Sequence, residues 1–192
     1  MPRQQRAERT RVAILDAAAV EFDEHGYEGA RLERIVERTG ATKGAVYFHF
    51  RSKLDIAEAL VADKYANWPV IIAEVAESGL RGLAAAEELT QRVAAVFVGD
   101  VRVRAAMRLT QTVFPPAADD NPYDRWAVVI GGLLQQEVDD GHSGVDAAAV
   151  ARVAVQGFFG AYMIANELGR LDGLPVDIER LWATLRPALS TP

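Results

Sequence analysis

The side chains best suited to chemistry lie in one run of nine residues, TKGAVYFHF, at positions 42–50. If this run is helical, Lys43, Gly44 and Tyr47 share one face, and Val46 and Phe50 share the opposite, inward face. A lysine in the first turn of such a helix can reach the O6 and N7 acceptors of guanine. A cation, a small gap and a phenol on one face therefore indicate a surface that can enter the major groove of DNA.

A second short helix is predicted just before this run. Leu32, Ile35 and Val36 recur at helical spacing, and Gly40 suits the position just past the helix end. Thr42 can cap the N-terminus of the helix that follows. Because these two helices must cross at a tight turn, the sequence predicts a helix-turn-helix.

The remainder of the chain predicts further helices and no strand. A first helix is expected at residues 7–25 with Gly26 as its stop, and residues 52–55 resemble a capping box that begins a long helix. Pro69 should kink or shorten that long helix. Later helices are expected at residues 83–98, 101–113, 123–140, 147–168 and 178–189.

The predicted fold class is all-α, in two parts. Residues 1–53 form an N-terminal three-helix domain that contains the helix-turn-helix, and it is continuous with a C-terminal helical domain at residues 54–192. The helix at residues 147–168 is apolar nearly all round, so one side must be buried in the protomer and another against a partner. With the last helix, it is the candidate two-fold interface of a homodimer.

The charge of the chain is unevenly distributed. The net charge is −6 overall, yet the first 53 residues hold ten Lys and Arg against eight Asp and Glu, a local charge of +2. The remaining residues carry −8. An acidic body behind a mildly basic N-terminal part would orient the molecule towards phosphate.

The composition predicts a soluble intracellular protein. There is no cysteine, which excludes disulfides, thiolate metal ligands and a cysteine nucleophile, and which fits a reducing cytoplasm. The basic, polar N-terminus lacks an apolar signal-peptide core. The most apolar stretch, residues 147–164, contains Arg152 and Gln156, which a membrane span would disfavour. No metal site, cofactor or membrane partner is expected.

These features resemble the DNA-binding domain of TetR-family repressors. The likeness is carried by Tyr27, the run at residues 42–50 and Lys53, and it covers roughly residues 7–54. Within the family the chain is more similar to γ-butyrolactone autoregulator receptors of actinomycetes. That likeness lies in QRAERTR at 5–11, FDE at 22–24, KGAVYFHF at 43–50, RAAMRLT at 104–110, Pro122-Tyr123 ahead of Trp126, and FFG at 158–160.

The resemblance implies a homodimeric repressor that binds operator DNA, takes up a small diffusible signal in its C-terminal domain and then leaves the DNA. The residues that it assigns to DNA are Arg31, Thr42, Lys43, Gly44, Tyr47, Phe48, His49 and Lys53. Tyr47, His49 and Lys53 would bind phosphate, which sets register without reading sequence. Ala30 and Arg31 depart from the family pattern, which has a hydroxyl cap there. The second helix should therefore lack a side-chain cap, or Arg31 should add a phosphate contact.

For several of these residues an ordinary structural or solvated role stays open as the alternative to DNA or ligand contact. Lys43 could be a solvated lysine, and His49 a structural histidine. Phe48 could pack at the groove edge or in the core. Arg104 and Arg108, one helical turn apart, could contact an acidic ligand but more often form a solvated face.

Trp126 is the principal candidate for the ligand site, since the resemblance aligns it with a pocket tryptophan and its ring could cover a lactone; the alternative is an ordinary core tryptophan. Its expected neighbours mix apolar walls with a few hydrogen-bonding groups, and they are Met107, Gln111, Phe158, Tyr162 and Asn166. These residues suit a neutral lactone with an alkyl tail. The pair Gly131-Gly132 favours close packing over ligand contact.

The sequence leaves three alternatives to a γ-butyrolactone-responsive repressor open. The same DNA-binding role could respond to a butenolide, a furan-type signal or an antibiotic instead of a γ-butyrolactone. A helical enzyme is disfavoured because the chain shows no metal-ligand spacing, phosphate-cradling glycine loop or serine elbow. A pure scaffold protein would leave the outward face of Lys43 and Tyr47 without a purpose.

Overall fold

The computed structural model describes residues 2–117, 121–141 and 145–189, without the side chains of residues 2, 3 and 64–67. Within these ranges it contains nine α-helices and one 3-10 turn, and it has no strand. The helices are α1 Pro2–Gly29, α2 Leu32–Thr39, α3 Lys43–His49, α4 Lys53–Glu77, α5 Gly82–Gly99, α6 Val101–Thr112, α7 Pro122–Asp139, α8 Ala147–Glu167 and α9 Leu174–Leu189, with the 3-10 turn at Leu171–Gly173. The predicted all-α class and the helix-turn-helix are confirmed.

Two predicted helix starts were wrong, because α1 begins at Pro2 and α9 begins at Leu174, one turn before the predicted start. Gly26 leaves the helical conformation, with φ 66° and ψ 179°, so the regular part of α1 breaks at the residue that was predicted to end it, and a short second helical piece continues to Gly29. Helix α4 runs through Pro69 to Glu77, so the predicted shortening does not occur.

The chain divides into two compact units. Unit 1 consists of residues 1–68 and 100–115, and unit 2 of residues 69–99 and 116–192. Helix α6 thus belongs to the same unit as the helix-turn-helix, although it lies far along the chain. The boundary expected after residue 53 separates a DNA-binding domain from a ligand-binding domain. The compact units do not test that functional division, so it stays a prediction.

The core of unit 1 holds the helix-turn-helix in place. Its fully buried side chains come from α1, α2, α3, α4 and α6, and they include Phe22, Ile35, Val46, Leu60 and Leu109. Each of the short helices α2 and α3 contributes one fully buried residue to this core. The position of both helices is therefore fixed by burial of apolar surface.

Helix α6 is attached to α1 by arginines as well as by apolar contacts. Arg104 Nε lies 3.0 Å from Asp23 Oδ2, and Arg108 Nη1 donates to the backbone carbonyl of Asp23 at 2.6 Å. Arg102 Nε lies 2.7 Å from Asp16 Oδ1. Helix α1 therefore supplies acceptors for both side chains, and of the two Arg108 remains exposed to solvent while Arg104 is largely covered.

Glu21 is a buried carboxylate at the junction of α1 and α2. Its side chain is fully buried, and Oε1 accepts hydrogen bonds from the Arg31 backbone N–H at 3.1 Å and from Arg34 Nη1 at 3.2 Å. Oε2 lies 3.7 Å from Arg38 Nε and 3.8 Å from His25 Nε2. The carboxylate therefore replaces the missing side-chain cap of α2 and joins that helix to α1.

Unit 2 is built on the pairing of α7 with α8, flanked by α5 and α9. Trp182 of α9 is buried and donates from Nε1 to Thr90 Oγ1 of α5 at 2.7 Å. A Cβ on Gly157 would come within 2.7 Å of the Leu181 side chain, so α8 and α9 approach closely there. Within the described residues, α8 is the one helix long and apolar enough to cross a membrane, and its inward face lies in the core of unit 2.

We expect Glu21→Ala to lower the free energy of unfolding by about 2 kcal/mol, because the α2 N-terminus loses its acceptor and two arginines lose their buried counter-charge. Urea denaturation of the full chain measures this loss. The matched control is Glu24→Ala, since Glu24 forms an exposed ion pair with Arg38. It should cost less than about 1 kcal/mol. Equal stability of the two variants would contradict the capping role of Glu21.

Candidate nucleic-acid interface and ligand cavity

The outward face of α3 carries the residues that the sequence placed there. Lys43 and Gly44 are exposed, and Tyr47 and Phe48 are 42% and 80% exposed. The Lys43 Nζ lies 5.9 Å from the centroid of the Tyr47 ring, so the cation and the phenol occupy adjacent positions. Phe48 is not part of the core, which leaves an apolar ring at the edge of this surface.

The inward face anchors the helix. Val46 is fully buried, and Phe50, which follows the last helical residue, is nearly so. The Phe50 N–H donates to the Val46 carbonyl at 2.9 Å, and the Arg11 guanidinium lies 5.9 Å from the Phe50 ring centroid. Helix α3 therefore presents polar groups to solvent from a fixed position.

The turn between α2 and α3 uses the two residues that the sequence indicated. Gly40 ends α2 in the left-handed region at φ 63°, where a side chain would be strained. The Thr42 hydroxyl accepts a hydrogen bond from the Ala45 N–H at 3.2 Å and so caps α3. A Cβ on Gly44 would meet no atom within 4 Å. Packing thus does not require glycine there, and the gap remains open to an incoming surface.

His49 is the last residue of α3, and Arg31 directly precedes α2. His49 is half-buried, with its ring 5.2 Å from that of Phe48 and 6.5 Å from that of Phe50. The Arg31 side chain is exposed at the start of α2, while its backbone N–H is held by Glu21. Phosphate contacts by either side chain stay predictions.

Lys53 has partners within unit 1. Its Nζ donates to the backbone carbonyls of Tyr27 at 2.6 Å and Ala30 at 3.0 Å, and it lies 4.4 Å from the Tyr27 ring centroid. Burial, together with Glu28 and Glu58, raises the pKa of the Tyr27 phenol, which keeps the ring neutral. Lys53 therefore joins the start of α4 to the end of α1, and its expected phosphate contact stays a prediction.

The N-terminus of α4 has the capping box that the sequence predicted. Ser52 Oγ and the Arg51 N–H donate to the two oxygens of Asp55, at 2.5 and 3.0 Å, and the Asp55 N–H donates back to Ser52 Oγ at 3.1 Å. These hydrogen bonds, the Ser52 bond foremost, lower the pKa of Asp55 below its ordinary value. The carboxylate is therefore ionised at neutral pH and stabilises this helix end.

Trp126 lines a small apolar cavity in unit 2. The cavity has a volume of about 20 Å³, and its walls are Thr90, Val93, Trp126, Ile130, Val155, Phe158 and Phe159. That volume accommodates about one water molecule. Trp126 and Phe158 were predicted and the other five were not; Thr90 and Val93 were missed because α5 gave no sign of facing α7 and α8. A ligand larger than water could enter only if these walls separate.

The other residues expected around a ligand are dispersed. Tyr162 is buried against Phe97, with ring centroids 4.4 Å apart, and Asn166 is exposed near the end of α8. Met107 is buried and Gln111 exposed on α6, and both belong to unit 1. Of the six residues expected at the ligand site, Trp126 and Phe158 line the cavity together.

The chain is similar in sequence to known regulators. A family model described as bacterial regulatory proteins of the tetR family matches residues 14–60, which include α2 and α3. The A-factor receptor protein of Streptomyces griseus is 31% identical over 196 residues, an alignment that covers 100% of this chain and 68% of that protein.

Several solved structures of regulators are similar to this chain in fold and sequence. The TetR family protein CprB from Streptomyces coelicolor A3(2) superposes with a TM-score of 0.80 at 31% identity, covering 94% of this chain and 88% of the other. A structure of CprB in complex with its biological operator sequence gives a TM-score of 0.73 at 29% identity, covering 92% and 87%. An ArpA-like γ-butyrolactone receptor gives 0.70 at 29% identity, covering 94% and 99%.

A pair of lysine substitutions separates structural from surface roles. Lys53→Met should lower the free energy of unfolding by about 2 kcal/mol, because two carbonyls lose a charged donor. Lys43→Met removes an exposed ammonium of the same size and should change stability by less than about 0.5 kcal/mol. Thermal and urea unfolding of both variants measure the difference. A Lys53→Met protein as stable as the wild type would show that these bonds do not hold α4.

Proposed function

The chain belongs to the TetR family of bacterial regulatory proteins, as a DNA-binding transcriptional repressor related to the γ-butyrolactone receptors, and we propose that it acts as a ligand-released homodimer. In this proposal two copies of α3 read a pseudo-palindromic operator, and a small diffusible signal bound in unit 2 releases the protein. The site of action is the cytoplasm, where bacterial DNA lies.

The observation that carries the proposal is the exposed polar face of α3. Lys43, Gly44 and Tyr47 face solvent, while Val46 holds the helix from behind. An N-terminal lysine on a recognition helix can contact guanine, and the neighbouring phenol can contact phosphate. The two reading helices of a dimer would enter successive major grooves, one helical turn or about 34–36 Å apart.

The exposed apolar residues of unit 2 support the homodimer. Val153, Ile164 and Leu168 are each about half exposed or more, and they fall on one face of α8. Soluble proteins usually cover such a stripe, and a two-fold interface covers it with the same stripe of a second copy. We therefore place α8, together with α9, in the dimer interface.

The cavity beside Trp126 supports a neutral, apolar inducer. Its lining offers aromatic and aliphatic side chains and contains no charged residue, and the Thr90 hydroxyl is already bonded to Trp182 and to the α5 backbone. A γ-butyrolactone with an alkyl tail fits this chemistry once the walls separate. A butenolide or a furan-type signal remains the second candidate, because its ring would present similar apolar and polar groups.

Release from DNA requires the inducer to favour a conformation in which the two α3 helices no longer match the operator. A thousandfold loss of operator affinity corresponds to a preference of about 4 kcal/mol for that conformation. By reciprocity, operator DNA must weaken inducer binding by the same factor. This coupling is a property of the dimer as a whole.

We expect Lys43→Ala to weaken binding to a tight operator duplex by about 1–3 kcal/mol per half-site and to reduce the salt dependence of binding. Fluorescence anisotropy across a range of salt concentrations measures both effects. Arg81→Ala, which removes an exposed arginine in the turn between α4 and α5, is the control and should leave both unchanged. Unaltered operator affinity of Lys43→Ala would remove α3 from base recognition.

We expect Trp126→Ala to bind operator normally but to lose release by γ-butyrolactones, since the ring that would cover the ligand is gone. A gel-shift titration with lactones of different tail length tests this. Val128→Ala alters an exposed residue of the same helix and should respond as the wild type does. If the wild-type protein ignores every lactone, the inducer assignment fails while the repressor assignment stands. A normal response of Trp126→Ala would place the inducer elsewhere.

A further inference from the structure

Three side chains that can ligate a metal ion meet at the end of the regular part of α1. Glu24 and His25 follow Glu21 by three and four residues, so the three side chains share one face of the helix. His25 Nε2 lies 3.8 Å from Glu21 Oε2 and 3.7 Å from Glu24 Oε2, and all three atoms lie within 4.8 Å of one another. Among the described residues, this is the one such group that could hold a metal ion.

The second oxygen of Glu21 is the buried member of this group. The Glu21 side chain has no exposed surface, and its Oε1 already accepts from the Arg31 N–H and from Arg34 Nη1. Within the described part of the chain, Oε2 is the one buried side-chain nitrogen or oxygen without a hydrogen-bond partner, since Arg38 Nε is 3.7 Å away. Buried polar atoms are normally paired, and a bound ion is one reason for an exception. Oε2 therefore points to an additional partner.

The separations of the three atoms are close to those of a coordination sphere. Zinc binds imidazole nitrogen and carboxylate oxygen at about 2.0–2.2 Å, so two ligand atoms of one tetrahedral zinc ion are roughly 3.3 Å apart. The two distances from His25 Nε2 are slightly longer than this, at 3.8 and 3.7 Å. Glu24 and His25 are exposed, so their side chains can rotate to close the difference, and solvent water can complete the coordination.

The donor set favours a divalent transition-metal ion. Imidazole nitrogen suits zinc, nickel and copper, whereas magnesium and calcium prefer oxygen ligands alone. Zinc also accepts carboxylate oxygens beside a histidine. Gly26 leaves the helical conformation directly after His25, so the group occupies the last turn of the regular part of α1. The C-terminal end of a helix attracts a cation, which adds to the attraction of the two carboxylates.

Arg38 of α2 competes with an ion for the same two carboxylates. Its Nη2 lies 2.7 Å from Glu24 Oε2, and its Nε lies 3.7 Å from Glu21 Oε2. A metal ion and a guanidinium on the same two oxygens would repel each other. The Arg38 side chain is 41% exposed, so it can turn into solvent when an ion binds. Arg34 can stay in place, because it contacts the other oxygen of Glu21.

We propose that Glu21 Oε2, Glu24 Oε2 and His25 Nε2 bind a divalent transition-metal ion, for which zinc is the best match, in exchange for the Arg38 guanidinium. Glu21 supplies a fixed, buried ligand, and Glu24 and His25 close over the ion from the solvent side. The site lies within unit 1. It is separate from the face of α3 that reads DNA, and it does not depend on the identity of the inducer.

Isothermal titration calorimetry of metal-free, full-length protein with zinc chloride, in the presence of excess Mg²⁺, tests this proposal. We expect saturable binding of one zinc ion per protomer. His25→Gln and Glu24→Gln should each raise the dissociation constant by at least about tenfold, since even loss of a group that only orients a ligand costs about 10–100-fold. Arg38→Gln should lower the dissociation constant severalfold, because the competing cation is gone.

Two control variants separate this site from general zinc binding. Glu28→Gln removes an exposed carboxylate of the same helix, and His142→Gln removes an imidazole elsewhere in the chain; both should bind zinc as the wild type does. A cooperative urea transition without zinc shows that each variant is folded. The proposal is overturned if saturable binding is absent or if His25→Gln binds zinc as tightly as the wild type. It is likewise overturned if Arg38→Gln binds no more tightly, or if His142→Gln alone abolishes binding.

Discussion

Helix α3 has seven residues, and a helix of that length is not stable in water without tertiary packing. Burial of Val46 and Phe50 in the core of unit 1 therefore decides whether the reading surface exists. The same burial fixes which residues face outward, because side chains one turn apart share a face. Recognition by Lys43 and Tyr47 thus depends on apolar contacts made on the opposite side of the helix.

Polar contacts then hold the elements around α3. Glu21 joins α1 to α2, Lys53 joins α4 to the end of α1, and Arg104 joins α6 to α1. In each case a charged side chain satisfies backbone groups or an opposite charge at a place where regular helix hydrogen bonding ends or is absent. Such specific polar contacts favour one arrangement of the helices over others. A surface that reads DNA needs this rigidity, since a small displacement would misalign its donors.

The sequence predicted the features that depend on local chemistry. Gly40 and Thr42 act within a few residues of themselves, so the turn between α2 and α3 could be read from their types and positions. The partners of Arg104 and Lys53 could not, because Asp23 and Tyr27 lie far from them along the chain. Glu21 gave a weak signal, since it continues the inward stripe of Ala17 and Ala18 and a carboxylate there requires a partner.

The ligand sites were harder to predict than the helix-turn-helix. Trp126 was found through a family resemblance, whereas Thr90 and Phe159 depend on how three helices pack and carry no local pattern. The pair Gly131-Gly132 shows the same limit, because the interpretation as close packing fits only Gly131. Which of two adjacent glycines faces a neighbouring helix and which is exposed depends on the rotation of α7, and the spacing of apolar residues defines that rotation only coarsely.

Selection of tightly bound duplexes from a random DNA pool by the purified full-length protein tests the central claim most directly. A dimer that reads DNA through two α3 helices should enrich two inverted half-sites whose centres are about one helical turn apart. The wild-type motif should contain guanine at the positions that Lys43 reads, and that preference should be lost when Lys43 is replaced. Enrichment of a single unpaired half-site, or of no motif, would contradict the account.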